Sequence, residues 1–195
     1  MNTNDLDKVL ETIENDAIRQ EYWYFNGLNN RTINILGEID DSIIETVILP
    51  LKRMEAESEK PIHINIHTTG GSVWDSLVLL DILDKITCPV AIEVLGYAMS
   101  MGIYILMAGK HNPNVKVIAH SFSMGLIHAG SVSLVGDNRK VKEIQRFNDR
   151  IEAKLKDFVL THSKITAEEY EEHEAEEWYL LAEDMLRLGI IDEIV

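Results

Sequence analysis

The chain has 195 residues, 46% of them hydrophobic and 26% charged, with a formal net charge of −15 at pH 7. That length suits one domain with a sizeable core, and the acidic balance argues against nucleic acid or an anionic membrane as partner. One cysteine, Cys88, gives neither an intrachain disulfide nor a cysteine cluster for zinc, and no apolar run reaches the ~20 residues of a membrane span. The polar opening MNTNDLDKVLETIEND does not have the pattern of a secretory signal, so a reducing cytoplasm is the expected location.

In chain order, Leu6, Val9, Leu10, Ile13, Ala17 and Ile18 recur at helical spacing and predict an amphipathic helix over 6–18. The aromatic group Tyr22-Trp23-Tyr24-Phe25 reads as packing at an interface. TINILGEI (32–39) reads as a strand, and Asp40 or Asp41 is placed to cap a helix carrying Ile43, Ile44, Val47, Ile48 and Leu51. After Pro61, Ile62, Ile64 and Ile66 alternate with His63, Asn65 and His67, the pattern of a half-buried strand. His63 and His67 then share a face but stand about 13 Å apart, too far to hold one metal. Gly70-Gly71 leads into a helix capped by Ser72. PVAIEVL (89–95) is a buried strand, and 101–109 a short apolar helix closed by Gly109.

KVIAHSF and GLIHAG are further strand candidates. A long helix over about 140–163 carries Val141, Ile144, Phe147, Ile151, Leu155 and Phe158 on one stripe. Thr166 and Glu169 form a capping box that opens an acidic helix. Residues 166–184 hold nine carboxylates and no Lys or Arg, a solvated face. His111, His162 and His173 sit in polar stretches and read as solvated. Strand–helix alternation of this kind indicates an α/β layered fold.

Two turns, TTGGS and GYAMSMG, stand where a strand gives way to a helix. Such a place offers free backbone N–H groups and the positive end of a helix dipole, both suited to an anion. Ser100 is then either a helix cap in a tight turn or, with a base nearby, a nucleophile presented at that positive end. The spacing alone leaves both readings open.

A wider pattern bears on the choice. From about Arg31 to Val195 the chain resembles ClpP, the proteolytic subunit of the Clp protease, and with it the broader ClpP/crotonase fold. RTINILGEIDDSIIETVILPLKRMEAESEKPIHINI is similar to that family's opening strand–helix–strand, HTTGGS to its N-S-P-G-G segment, and GYAMSMG to its G-x-A-A-S-M-G nucleophile turn. MGLIHAG is similar to the strand that ends in the catalytic histidine, and EWYLLAEDMLRLGIIDEIV to the closing segment. The 29-residue interval from Gly71 to Ser100 also agrees with the family.

The resemblance implies repeated strand–helix units with a projecting long helix, divided into an N-terminal helical or axial segment (1–30) and a protease domain (31–195). It implies Ser100 as nucleophile, His128 as general base, and the backbone amides of Gly71 and Met101 as oxyanion hole. The usual aspartate before an aromatic is here Glu177 before Trp178, the preferred third member, with Glu176 as the alternative. His120, one strand earlier, is the lesser candidate for the base. Thr69 stands where the family has proline, and Ala129-Gly130 where it has glutamine-proline. Three extra residues between Ser100 and His128 are most simply placed in KHNPN (110–114).

The implied activity is a serine endopeptidase that cuts unfolded polypeptide through an acyl-enzyme inside an oligomeric chamber. Homo-oligomeric heptameric rings stacked to a tetradecamer are implied, with an AAA+ unfoldase as possible partner. No metal and no cofactor are expected; ATP would belong to the unfoldase. Two other readings are a weakly active homologue with a regulatory or assembly role, and a crotonase-type acyl-CoA enzyme on the same fold. The latter has no need of Ser100 and His128 together.

Overall fold

The computed structural model describes residues 16–130, 136–173 and 176–195. The helix expected over 6–18 lies outside the described residues except at its last three positions, which open α1 (Asp16–Asn29). Strand β1 (Thr32–Ile39) follows, then a π-helical turn (Ile44–Ile48) that runs into α2 (Leu49–Glu57). Pro50 lacks the N–H that an unbroken α-helix would use there, and the wider turn absorbs the mismatch. Asp40 serves the preceding turn instead of capping the helix: its carboxylate accepts from the Ser42 N–H and hydroxyl.

The centre of the molecule is built from β2 (Ile62–Gly71), α3 (Val73–Leu83), β3 (Val90–Met99) and α4 (Met101–His111). Strands β1, β2, β3 and β4 (Val115–Ala119) pair in parallel in that order, and the short β7 (Glu193–Ile194) closes the edge beside β4. Ile62, Ile64 and Ile66 are fully buried, as their alternation predicts, and lie in one core with Ile92, Val94 and Val117. Helix α4 is buried at every position from Met101 to Gly109, as a helix apolar on all sides must be. It does not stop at Gly109. That residue is packed tightly against Ile92 and Val115, where a Cβ would meet Ile92 Cδ1 at 2.7 Å, and the helix runs on to His111.

Strand β3 serves two partners. Its first half pairs with β4 (Val90↔Val115 to Val94↔Ala119), and its last residues pair with β5 (Met124–Ile127), with Met99 opposite Leu126. The pairing changes partner across Leu95 and Gly96, in line with register shifts at Gly37/Glu38 and Ile66/Thr68 on the two neighbouring strands. The sheet therefore bends along one line, and the ends of β2, β3 and β5 converge beyond it.

The chain closes through α5 (Asn138–His162), α6 (Ala167–His173), β6 (Trp178–Leu181) and α7 (Ala182–Arg187), with β6 antiparallel to β5. Asp137 caps α5 through its carboxylate, which accepts from the N–H groups of Arg139 and Lys140. The Thr166 hydroxyl accepts from the Glu169 N–H at 3.1 Å, the capping bond read from the sequence. The apolar stripe of α5 is only partly covered: Ile144 and Phe147 remain exposed, and Phe147 stacks on Trp74 of α3 with centroids 5.4 Å apart.

Candidate active site

Ser100 joins β3 to α4 with φ 51° and ψ −123°, a left-handed conformation that a residue bearing a side chain seldom adopts. Holding it there costs about 1–3 kcal/mol, which the surrounding structure must supply. Ser100 occupies the N-cap position of α4, but its hydroxyl makes no capping bond to that helix. Its backbone is fixed from two sides. The Ser100 N–H donates to Leu126 O of β5 at 2.9 Å, and the Ser100 carbonyl accepts from the Ile103 N–H at 3.0 Å.

The glycine pair closes on this turn. Gly70 has φ 88°, and a Cβ added to it would lie 2.6 Å from Ser100 Cβ and 2.7 Å from Met99 O. Gly71 has φ 148° and sits against β1, where a Cβ would meet Ile39 O at 2.2 Å. Only glycine tolerates both the dihedral and the crowding at these two places. The fully buried Thr68 braces the pair: its hydroxyl accepts from the Gly70 N–H at 3.0 Å and donates to Gly37 O. The bracing explains how the turn is held with Thr69 at the position of the family's proline. Sequence reading missed Thr68, although continuing the alternation of Ile62, Ile64 and Ile66 puts it on the buried face, where a hydroxyl needs partners.

His128 follows the last residue of β5, two positions after the Leu126 carbonyl that holds Ser100. The antiparallel register runs Leu126↔Tyr179 and Ile127↔Trp178. One further step puts Glu177 opposite His128, and Glu177 Oε1 lies 3.2 Å from His128 Nδ1. The Glu177 side chain is 56% exposed and that of His128 28%. Glu176 is turned elsewhere, 3.9 Å from Nδ1 of His173. His173 in turn stacks on Trp178 with centroids 4.3 Å apart, so it is packed rather than free in solvent. His120 is held by Glu93, with Nε2 to Oε1 at 2.8 Å. His63 is exposed, whereas His67 packs on Tyr97 with its Nδ1 against Leu95 O at the bend of the sheet.

The turn KHNPN is anchored as well. Buried Asn112 donates through Nδ2 to Leu83 O and Ile86 O at 2.8 and 2.9 Å, and its Oδ1 accepts from the Asn114 N–H at 2.9 Å. His162, expected to be solvated, is instead mostly buried, stacked on Phe158 with centroids 3.8 Å apart.

Parallel strands that bend together and deliver a serine to the mouth of a helix buried from Met101 to Gly109 form the ClpP-type α/β fold. Comparison with known families agrees: the profile described as Clp protease matches residues 15–195, and the chain belongs to the Clp protease family. The family is one of peptidases. Among the described residues, no helix is long and apolar enough to cross a membrane.

Proposed function

We propose that the protein is a serine endopeptidase whose nucleophile is Ser100. The observation that carries this reading is the strained Ser100, its hydroxyl making no capping bond to its own helix, with its N–H tied to the strand that leads into His128. Glu177, 3.2 Å from His128 Nδ1, favours the tautomer with hydrogen on Nδ1 and leaves Nε2 to act as base. In the reaction, Ser100 Oγ attacks the scissile carbonyl while Nε2 takes its proton. The oxyanion is held by the N–H groups of Gly71 and Met101, the latter at the positive end of α4. Collapse expels the amine, which receives the proton from His128, and leaves an acyl-enzyme. Water then attacks with His128 again as base, releasing the carboxylic acid and restoring Ser100.

Unfolded polypeptide is the proposed substrate, and a closed homo-oligomeric chamber of heptameric rings the proposed setting, since an unselective nucleophile must be kept from folded proteins. Support for assembly comes from apolar side chains left open on the single chain: Trp23 and Phe25 on α1, and the stacked pair Trp74 and Phe147. The stacked Trp74 and Phe147 form a joined exposed apolar patch, the kind of feature that accompanies an interaction surface. An AAA+ unfoldase is the proposed partner, and the chemistry needs no cofactor. The direct test is a fluorophosphonate probe with mapping of the modified residue. Labelling of Ser100, lost in His128→Ala, is expected; labelling elsewhere would refute the reading.

A further inference from the structure

Three helices of this chain end at one point. Asp84 is the C-cap of α3, His111 is the last residue of α4 and His162 the last of α5. Their ligand atoms all lie within 4.8 Å of one another. His111 Nδ1 is 2.7 Å and His162 Nε2 3.5 Å from the same oxygen, Asp84 Oδ1, and the two rings are 4.2 Å apart. From these residues we propose a binding site for a divalent first-row transition ion of the zinc type, at the end of α4 opposite Ser100. It does not rest on the protease reading.

The protonation of His162 is set by its own helix. Its Nδ1 lies 3.0 Å from the Phe158 carbonyl, which can only accept, and 2.8 Å from Thr161 Oγ1, whose own hydrogen goes to the Asp157 carbonyl at 2.8 Å, so Nδ1 carries the hydrogen and Nε2 presents its lone pair to Asp84. A ring nitrogen bonded to backbone while the other faces outward is the arrangement found behind metal-binding histidines. Nε2 and Asp84 Oδ1 then stand 3.5 Å apart as two acceptors, a pair that a metal ion between them satisfies, as a second proton on Nε2 would. The surroundings favour positive charge. Three sets of helix C-terminal carbonyls add negative potential at this point, while the nearby Lys110 is committed to Asp192 at 2.8 Å.

The geometry fits a small ion. Bonds of about 2.0–2.1 Å at tetrahedral angles hold neighbouring ligand atoms about 3.3–3.4 Å apart. The His162–Asp84 separation already agrees. The His111–Asp84 separation has to widen by about 0.6 Å to reach that spacing, a movement open to His111 because its side chain is half exposed. Two imidazoles and one carboxylate suit zinc, whereas magnesium and calcium take oxygen ligands. An open cleft of about 450 Å³, lined by His111, His162, Lys110, Lys164 and Asp192, reaches the two histidines from solvent and gives water a path to complete the coordination. A bound ion fastens the end of the long helix to the body of the fold.

The test is titration of the whole protein with Co²⁺ as a visible stand-in, followed by displacement with Zn²⁺. One ion per chain is expected, with a ligand-field band that Zn²⁺ abolishes and Mg²⁺ does not. His111→Gln and Asp84→Asn, both verified as folded by circular dichroism, should weaken binding about 100-fold or more, while His63→Gln should leave it unchanged. Zn²⁺ should raise the melting temperature of the wild type and not that of His111→Gln. Equal binding by all the variants, or wild-type binding no tighter than that of His111→Gln, would overturn the proposal.

Discussion

The two ends of α4 are built from the same materials and face opposite tasks. At the N-terminal end the helix opens on Ser100, with the amides of its first turn and the positive pole of its dipole directed at the strand ends. At the C-terminal end it closes on His111, with Asp84 and His162 gathered at the negative pole. Between them the helix is buried throughout, so neither end can shift without disturbing the core. The contrast teaches that a buried helix sorts chemistry by polarity: developing anions belong at one mouth, cations at the other.

Breaking the N-terminal end should give the largest effects. Ser100→Ala is expected to lower hydrolysis of small peptide esters by about 10⁴-fold or more while the fold persists, as measured by turnover and circular dichroism together. Unchanged turnover would mean that another group is the nucleophile. Next in size is Gly70→Ala. The added methyl would meet Ser100 Cβ at 2.6 Å at a φ of 88°, so the Ser100 turn must move. A loss of about 100-fold or more in probe labelling is expected, since displacement of a reacting group by about 1 Å costs that much. A melting temperature lowered by several degrees should accompany it.

The same contrast marks what was legible in the sequence. The N-terminal end is written in contiguous stretches, TTGGS and GYAMSMG, and the strand period of Ile62, Ile64 and Ile66 continues to Thr68 and Gly70. Local spacing therefore told of strand, turn and helix, and the resemblance named the roles. The C-terminal end is written in three separate places, Asp84, His111 and His162, each of which looks polar and ordinary alone. Only the convergence of α3, α4 and α5 brings them together, and convergence is a tertiary fact with no local signature. The π-helical turn before Pro50 and the continuation of α4 past Gly109 escaped for a related reason. Both follow from packing, which overrides the usual meaning of proline and glycine.

Glu177 lies between the two cases. Its neighbour Glu176 has the same local chemistry, and the antiparallel register of β5 with β6 separates them by setting Glu177 opposite His128. Glu177→Gln should lower turnover about 10- to 100-fold, less than the loss of a fully buried partner, because this carboxylate is more than half exposed and water screens it. Glu177→Asp should keep most of the activity and Glu176→Gln nearly all of it. If Glu176→Gln does the damage instead, the register argument fails.

The smallest effect on turnover, and the sharpest separation of the two ends, is expected from Asn112→Ala. The Asn112 side chain is buried and supplies two donors to Leu83 O and Ile86 O and one acceptor to the Asn114 N–H. Its removal takes a partner from Leu83 O and the Asn114 N–H and leaves Ile86 O with the Asn114 Nδ2 donor, at about 1–3 kcal/mol for a buried site. For a chain of this size the melting temperature should fall by roughly 2–10 °C. The lost bonds hold the end of α3 beside the end of α4, so Asp84 and His111 lose their spacing and Co²⁺ affinity should fall with stability. Ser100 is a full helix length away, its N–H held by Leu126 and its turn by Gly70 and Thr68. Turnover well below the melting temperature should therefore stay within about twofold of the wild type, as expected for sites that share no partners. A large loss of turnover in Asn112→Ala would show that the two ends of α4 are coupled through the core.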